Sequence, residues 1–160
     1  MKTPQPERIP ELPQGWPASP RAAQAAAAAA RAEVVSFSED RHARGLRALS
    51  DITGSSGAEA VESLRDIAPD FADWIVDFSY GDVMTRPGLD RRSRQFATIA
   101  ALTALGNAAP QLKVHIAGAL NVGCKPQEIV EVILQMSVFA GFPAAINALN
   151  VAREVFDAQR

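Results

Sequence analysis

Apolar residues recur every third or fourth position through the second half of the chain, the period of one face of an α-helix. At 126–140, Ile129, Ile133, Met136 and Ala140 form one stripe, and Val130, Leu134 and Val138 form a second row on a neighbouring face. At 143–158 the stripe is Ala145, Leu149, Ala152 and Phe156, with Ile146 beside it. The segment Phe96–Leu105 is uncharged, and the stretch 91–105 is apolar over most of its circumference after Gln95, which predicts a central helix. No stretch alternates with period two for long enough to predict a strand. The pattern is that of an all-α protein.

Punctuation divides it into helices. Pro69, Pro110, Pro126 and Pro143 stand where a first turn begins and a missing N–H costs nothing. Gly54, Gly81, Gly106, Gly123 and Gly141 stand where a helix is expected to stop. Ser36 with Glu39 and Ser56 with Glu59 fit capping boxes, and Asp90 is a good N-cap. The predicted helices are 18–34, 38–53, 57–67, 69–81, 91–105, 110–122, 126–140 and 143–158, a bundle of seven or eight. Some apolar faces exceed what one bundle can bury, so a homo-oligomer is expected.

Composition sets limits. The 160 residues suffice for one domain with a real core, 48% of them are apolar, and the formal charge is −2. That charge gives no electrostatic case for nucleic acid or an anionic membrane, and no run is long enough to span a bilayer. Residues 1–20 hold six of the eleven prolines and lack the apolar core of a secretory signal. The boundary predicted is an arm and an alanine-rich peripheral helix at 1–35, with Leu12 and Trp16 able to pin the arm, followed by a helical domain at 36–160. One cysteine, Cys124, allows no internal disulfide or CxxC pair, and with only His42 and His115 a metal site would rest on carboxylates. The expectation is a cytoplasmic, metal-free domain without membrane or nucleic-acid partners.

His115 is the one histidine in an otherwise largely apolar helix. Helical spacing puts Gln111 and Leu112 below it and Gly118 and Ala119 above. Glycine inside a helix costs about 1 kcal/mol against alanine, so Gly118 points to a close approach by backbone or ligand. Two readings stay open: a buried imidazole bonded structurally, or a pocket wall. Gln95, Gln135, Asn147 and Asn150 are the amides that could converge on it, or bond one another to fix register. Arg86, Arg91, Arg92 and Arg94 are either a solvated face or a mouth attracting a carboxylate. Cys124 reads as a turn residue, His42 as a solvent-exposed member of a charged helix, and Asp82 as serving the turn before the arginines.

The run from Thr85 to Phe156, with HIAGALNVG, EIVEVILQMSVFAGFPAAINAL and VAREVF as its most specific parts, resembles the carboxymuconolactone decarboxylase family, which includes the alkyl hydroperoxidase D type proteins. The preceding FADWIVDFSYGDV fits the decarboxylase-like branch, and the resemblance covers about 40–158. It implies an alkyl hydroperoxidase D-like helical subunit and a trimer or hexamer. The peroxidase branch carries CxxC ahead of the histidine; here those positions are Ala108 and Gln111, so no dithiol cycle can run on them. Where the family often has a glutamate this chain has Gln95.

The implied reaction is loss of CO₂ from a small carboxylated lactone in aromatic-compound breakdown, without a cofactor, because the lactone carbonyl takes up the electrons. His115 would stabilise the developing oxyanion and return a proton to carbon; Gln95 is counted with it as a catalytic candidate, although an amide in place of the glutamate removes a potential proton relay. Leu112, Phe139 and Phe142 would supply an apolar pocket with Gln111 at its wall, and Arg91, Arg92 or Arg94 would hold a carboxylate. Two alternatives remain: a peroxidase-like member using Cys124 alone, and a non-enzymatic ligand-binding oligomer.

Overall fold

Helix α1, Arg41–Glu62, opens the part of the chain that the computed structural model describes, residues 41–159. The predicted arm, the helix at 18–34 and the Ser36–Glu39 box lie outside it. Within α1 the two helices expected at 38–53 and 57–67 meet at Gly54, where φ 62 and ψ −147 break the helical path in a conformation open to glycine, so the first helix does stop at this glycine. The Ser56 hydroxyl, two residues after the kink, donates to the Thr53 carbonyl at 2.9 Å. Beyond Glu62 the chain turns rather than continuing helically to 67.

Helix α2, Pro69–Trp74, passes directly into a π-helical segment, Ile75–Met84. Gly81 is accordingly not a stop but a buried residue inside that segment. Ala72, Val76 and Tyr80, spaced four residues apart across the junction, are all buried on one side of it.

The remaining helices are α3 (Arg91–Leu105), α4 (Ala109–Asn121), α5 (Pro126–Ala140) and α6 (Phe142–Ala158), close to the predicted bounds. The Asp90 carboxylate accepts from the Ser93 N–H at 2.8 Å and its hydroxyl at 2.9 Å, which starts α3 and holds that carboxyl below its usual range. The Lys125 N–H donates to Glu128 at 2.8 Å and starts α5. Among the described residues there is no strand.

Two clusters form the core. One gathers α3 to α6 around Ile99, Ile116, Ile129 and Ile133, all fully buried and each contributing about 1.5–3 kcal/mol. The other joins α1, α2 and the π segment around Leu49, Ile52 and Val76. They meet where α4 crosses α1: a Cβ on Gly118 would lie 3.0 Å from the Ile52 carbonyl oxygen. Gly118 thus answers to an approaching backbone.

Helix α3 is less central than its composition predicts. Only Gln95, Ile99 and Thr103 are buried, because its other apolar positions are largely alanines, which lose little when exposed. On α5 the predicted first stripe is buried at Ile129 and Ile133, whereas Leu134 and Val138 of the second row are exposed, Val138 at 76%. Ile146 of α6 is exposed as well.

Candidate active site

Helix α4 carries His115 to the join between the two clusters. Leu112, one turn back, faces the core, while Gln111 stays exposed at the same end. His115 is half-buried, and its Nδ1 lies 3.1 Å from Oε1 of Gln95 on α3. Gln95 is 0% exposed. With the amide oxygen accepting, the ring proton sits on Nδ1 and Nε2 keeps its lone pair. The Gln95 Nε2 has no hydrogen-bond partner among the described residues. Burial lowers the His115 pKa from its ordinary 6.5, and the neutral amide offers no charge to oppose that shift. The ring is therefore neutral at pH 7.

Beside the ring lies a cavity of about 240 Å³, large enough for a small organic acid. One wall is α4, through Pro110, Gln111, Val114 and His115. The facing wall is α1 and the π segment, through Gly57, Ala60, Val61, Ile75 and Tyr80, with Leu64 between them. Among the described residues its polar lining is His115, Gln111 and Tyr80, and no charged side chain lines it.

Tyr80 was not singled out by the sequence reading. The signal was there: it is the one tyrosine in the chain, set four and eight residues after two small apolar positions, Val76 and Ala72. It is 6% exposed, and burial pushes its phenol up to about 12. The Thr53 hydroxyl is its neighbour, and Thr53 donates its own proton to the Leu49 carbonyl at 2.7 Å.

The other residues expected around His115 are placed elsewhere within the chain. Arg91 pairs with Asp51 at 3.2 Å. Arg92 makes two bonds of 2.7 Å to Glu128 and lies over the Phe96 ring. Arg94 donates to the Leu89 and Arg86 carbonyls. None of the three lines the cavity, because helix α3 turns its arginine-bearing first turn toward α1, α5 and its own entry loop. Leu112 belongs to the core, and Phe139 and Phe142, 77% and 73% exposed, stand on the outer surface near the α5–α6 junction. Gln135, Asn147 and Asn150 are exposed rather than converging on the ring.

Cys124 is buried, and burial raises its pKa, the opposite of the exposed thiolate that a single-cysteine redox role requires. His42 is half-buried rather than free in solvent, with Nδ1 2.7 Å from Asp77. Asp82 accepts from Arg41 and Arg44, tying the π segment to α1. Among the described residues no three His, Cys, Asp or Glu side chains gather as a metal site, and no helix is long and apolar enough to cross a membrane.

Comparison with known proteins adds the ancestry of this arrangement. The family model described as "Carboxymuconolactone decarboxylase family" matches residues 69–154. A 4-carboxymuconolactone decarboxylase of Acinetobacter baylyi is 38% identical over 119 residues, covering 74% of this chain and 88% of the relative. A nitrosuccinic acid decarboxylase of Metarhizium robertsii is 32% identical over 117 residues, 71% of this chain and 79% of the relative. An uncharacterized 15.0 kDa protein of Paracoccus denitrificans is 35% identical over 97 residues, 60% of this chain and 72% of the relative.

Proposed function

The chain belongs to the carboxymuconolactone decarboxylase family, and we propose that it is a carboxy-lyase acting on a small acid whose departing carboxylate leaves its electrons on an adjacent acceptor. The names of two relatives support that chemistry. In a carboxylated muconolactone the acceptor is the conjugated lactone carbonyl; in nitrosuccinic acid it is the nitro group. Because the substrate carries its own electron sink, the reaction needs no cofactor to supply one. The observation that carries the reading is His115 on the wall of a largely apolar cavity, held by a buried amide.

The steps follow from the charges. An anionic substrate entering a site without charged lining raises the affinity of neutral His115 for a proton, since a negative neighbour favours the imidazolium. Gln95 accepts from Nδ1–H in both protonation states, so it orients the ring without resisting the change. The apolar walls solvate a carboxylate poorly, which favours passage to the charge-dispersed transition state. The carbon–carbon bond breaks, CO₂ leaves, and its electron pair moves through the conjugated system onto the acceptor oxygen. The proton on Nε2 then passes to carbon, giving the unsaturated lactone and returning His115 to its neutral form. Gln111, exposed in the cavity lining, would hold a second polar group of the substrate.

We place the reaction in breakdown of aromatic compounds and the chain in a homo-oligomer, trimer or hexamer, closing through the exposed apolar faces of α5 and α6. CO₂ release from 4-carboxymuconolactone and from nitrosuccinic acid by the purified chain tests the activity. His115→Ala is expected to lose at least 100-fold in kcat; full activity in that variant would falsify the mechanism.

A further inference from the structure

A decarboxylation that leaves charge on an oxygen asks for a donor at that oxygen throughout the reaction, besides the proton that returns to carbon. His115 has one ring nitrogen on Gln95, and its other is the proton carrier. Gln111 is exposed, so water competes for its amide. The one remaining polar side chain of the described lining is Tyr80.

Resting on the carboxy-lyase reading, we propose that Tyr80 is a second catalytic residue, donating its O–H from the wall facing His115 to the oxygen on which negative charge develops. The phenol keeps its proton and lends only a hydrogen bond. The neighbouring Thr53 hydroxyl has its own proton committed to the Leu49 carbonyl, so it is not a rival donor to that oxygen. A developing oxyanion is a stronger acceptor than a neutral carbonyl, so the bond favours the reacting state. Burial keeps the phenol protonated through the working pH range, which makes it a donor and not a competing anion.

Three local features hold this arrangement. The π winding keeps Tyr80 on the buried line of Ala72 and Val76. The absent side chain at Gly57 leaves room for the Thr53 hydroxyl, since a Cβ there would lie 1.9 Å from Thr53 Oγ1. Thr53 itself sits beside the Gly54 kink, which gives the wall its bend.

Tyr80→Phe removes one oxygen and keeps the ring. The expected result is a fall in kcat of about 100-fold with KM changed less than about 3-fold, because the bond strengthens only as charge develops. Tyr80 being the only tyrosine, growth on 3-fluorotyrosine acidifies this phenol alone in an otherwise native chain. As a stronger hydrogen-bond donor it is expected to raise kcat by about 2- to 5-fold with KM changed less, a split that a purely structural tyrosine would not produce. This second arm holds even where Tyr80→Phe folds poorly. Unchanged kcat in the fluorinated protein overturns the inference and leaves the carboxy-lyase reading standing, as does equal kcat in a folded Tyr80→Phe. No CO₂ release from either acid by the native chain overturns both.

Discussion

Gln95, without exposed surface, presents its side-chain oxygen 3.1 Å from Nδ1 of His115, so the ring is oriented by a group that cannot ionise. A carboxylate in that place would hold the imidazolium; an amide leaves protonation to the ligand. Gln95→Glu is therefore expected to raise the His115 pKa above its present lowered value, and to carry the upper limit of kcat/KM to higher pH. Ring nitrogen shifts followed by NMR across a pH series check this. An unmoved His115 titration would show that the contact does not govern the ring.

Stability should depend on pH through the same ring. His115 is lowered in the folded state, so between its folded pKa and the unfolded value near 6.5 the unfolded chain binds more protons. Stability then rises with pH in that window; the contribution is present above about pH 6.5 and is lost as pH falls toward the folded pKa. Urea midpoints for the native chain and His115→Gln at pH 5 and pH 8 should differ in slope, the native chain losing more on acidification.

The close approaches of α1 should resist enlargement. A Cβ on Gly45 would lie 2.2 Å from the Val76 carbonyl oxygen, whereas one on Gly118 would lie 3.0 Å from that of Ile52. Gly45→Ala is expected to cost about 1–3 kcal/mol as backbone is pushed aside. Gly118→Ala should cost less: both sites gain about 1 kcal/mol of helix propensity, but the 3.0 Å contact at Gly118 needs only a small shift of its neighbour. Denaturant unfolding of both variants orders them.

Val138 and Phe142 are large and exposed on neighbouring helices. If these faces join copies of the chain, Val138→Asp with Phe142→Asp should reduce the assembly to smaller species at unchanged helicity. Light scattering after size exclusion reads the mass. Identical masses for native and variant chains would exclude this face as the contact.

The single tyrosine permits a direct reading of the cavity wall. Phenolate absorbance at 295 nm should develop only toward pH 12, where burial has pushed Tyr80. Titration near pH 10 would mean that the phenol is solvated.

Much of this was legible in one dimension. Asp90, Pro126 and Gly106 set helix bounds through backbone bonds made within a few residues, so α3 and α5 run where their punctuation predicts. The weight placed on His115 and Gln95 was also available, since a polar residue in an apolar helix demands a partner. What the linear chain could not yield was direction. Arg91, Arg92 and Arg94 are consecutive with the candidate site in sequence, yet they pair with Asp51, Glu128 and backbone carbonyls and line no part of the cavity. Phe139 and Phe142 are apolar but face outward. Tyr80 reaches the cavity from a π-helical stretch, Ile75–Met84, where helical periodicity of 3.6 predicts an ordinary helix that stops at Gly81. Local bonds settle where a helix begins and ends, and the sequence by itself determined that. Which side chains share a cavity depends on how helices rotate and approach, as Gly118 lets α4 meet α1, and only the tertiary structure decided it.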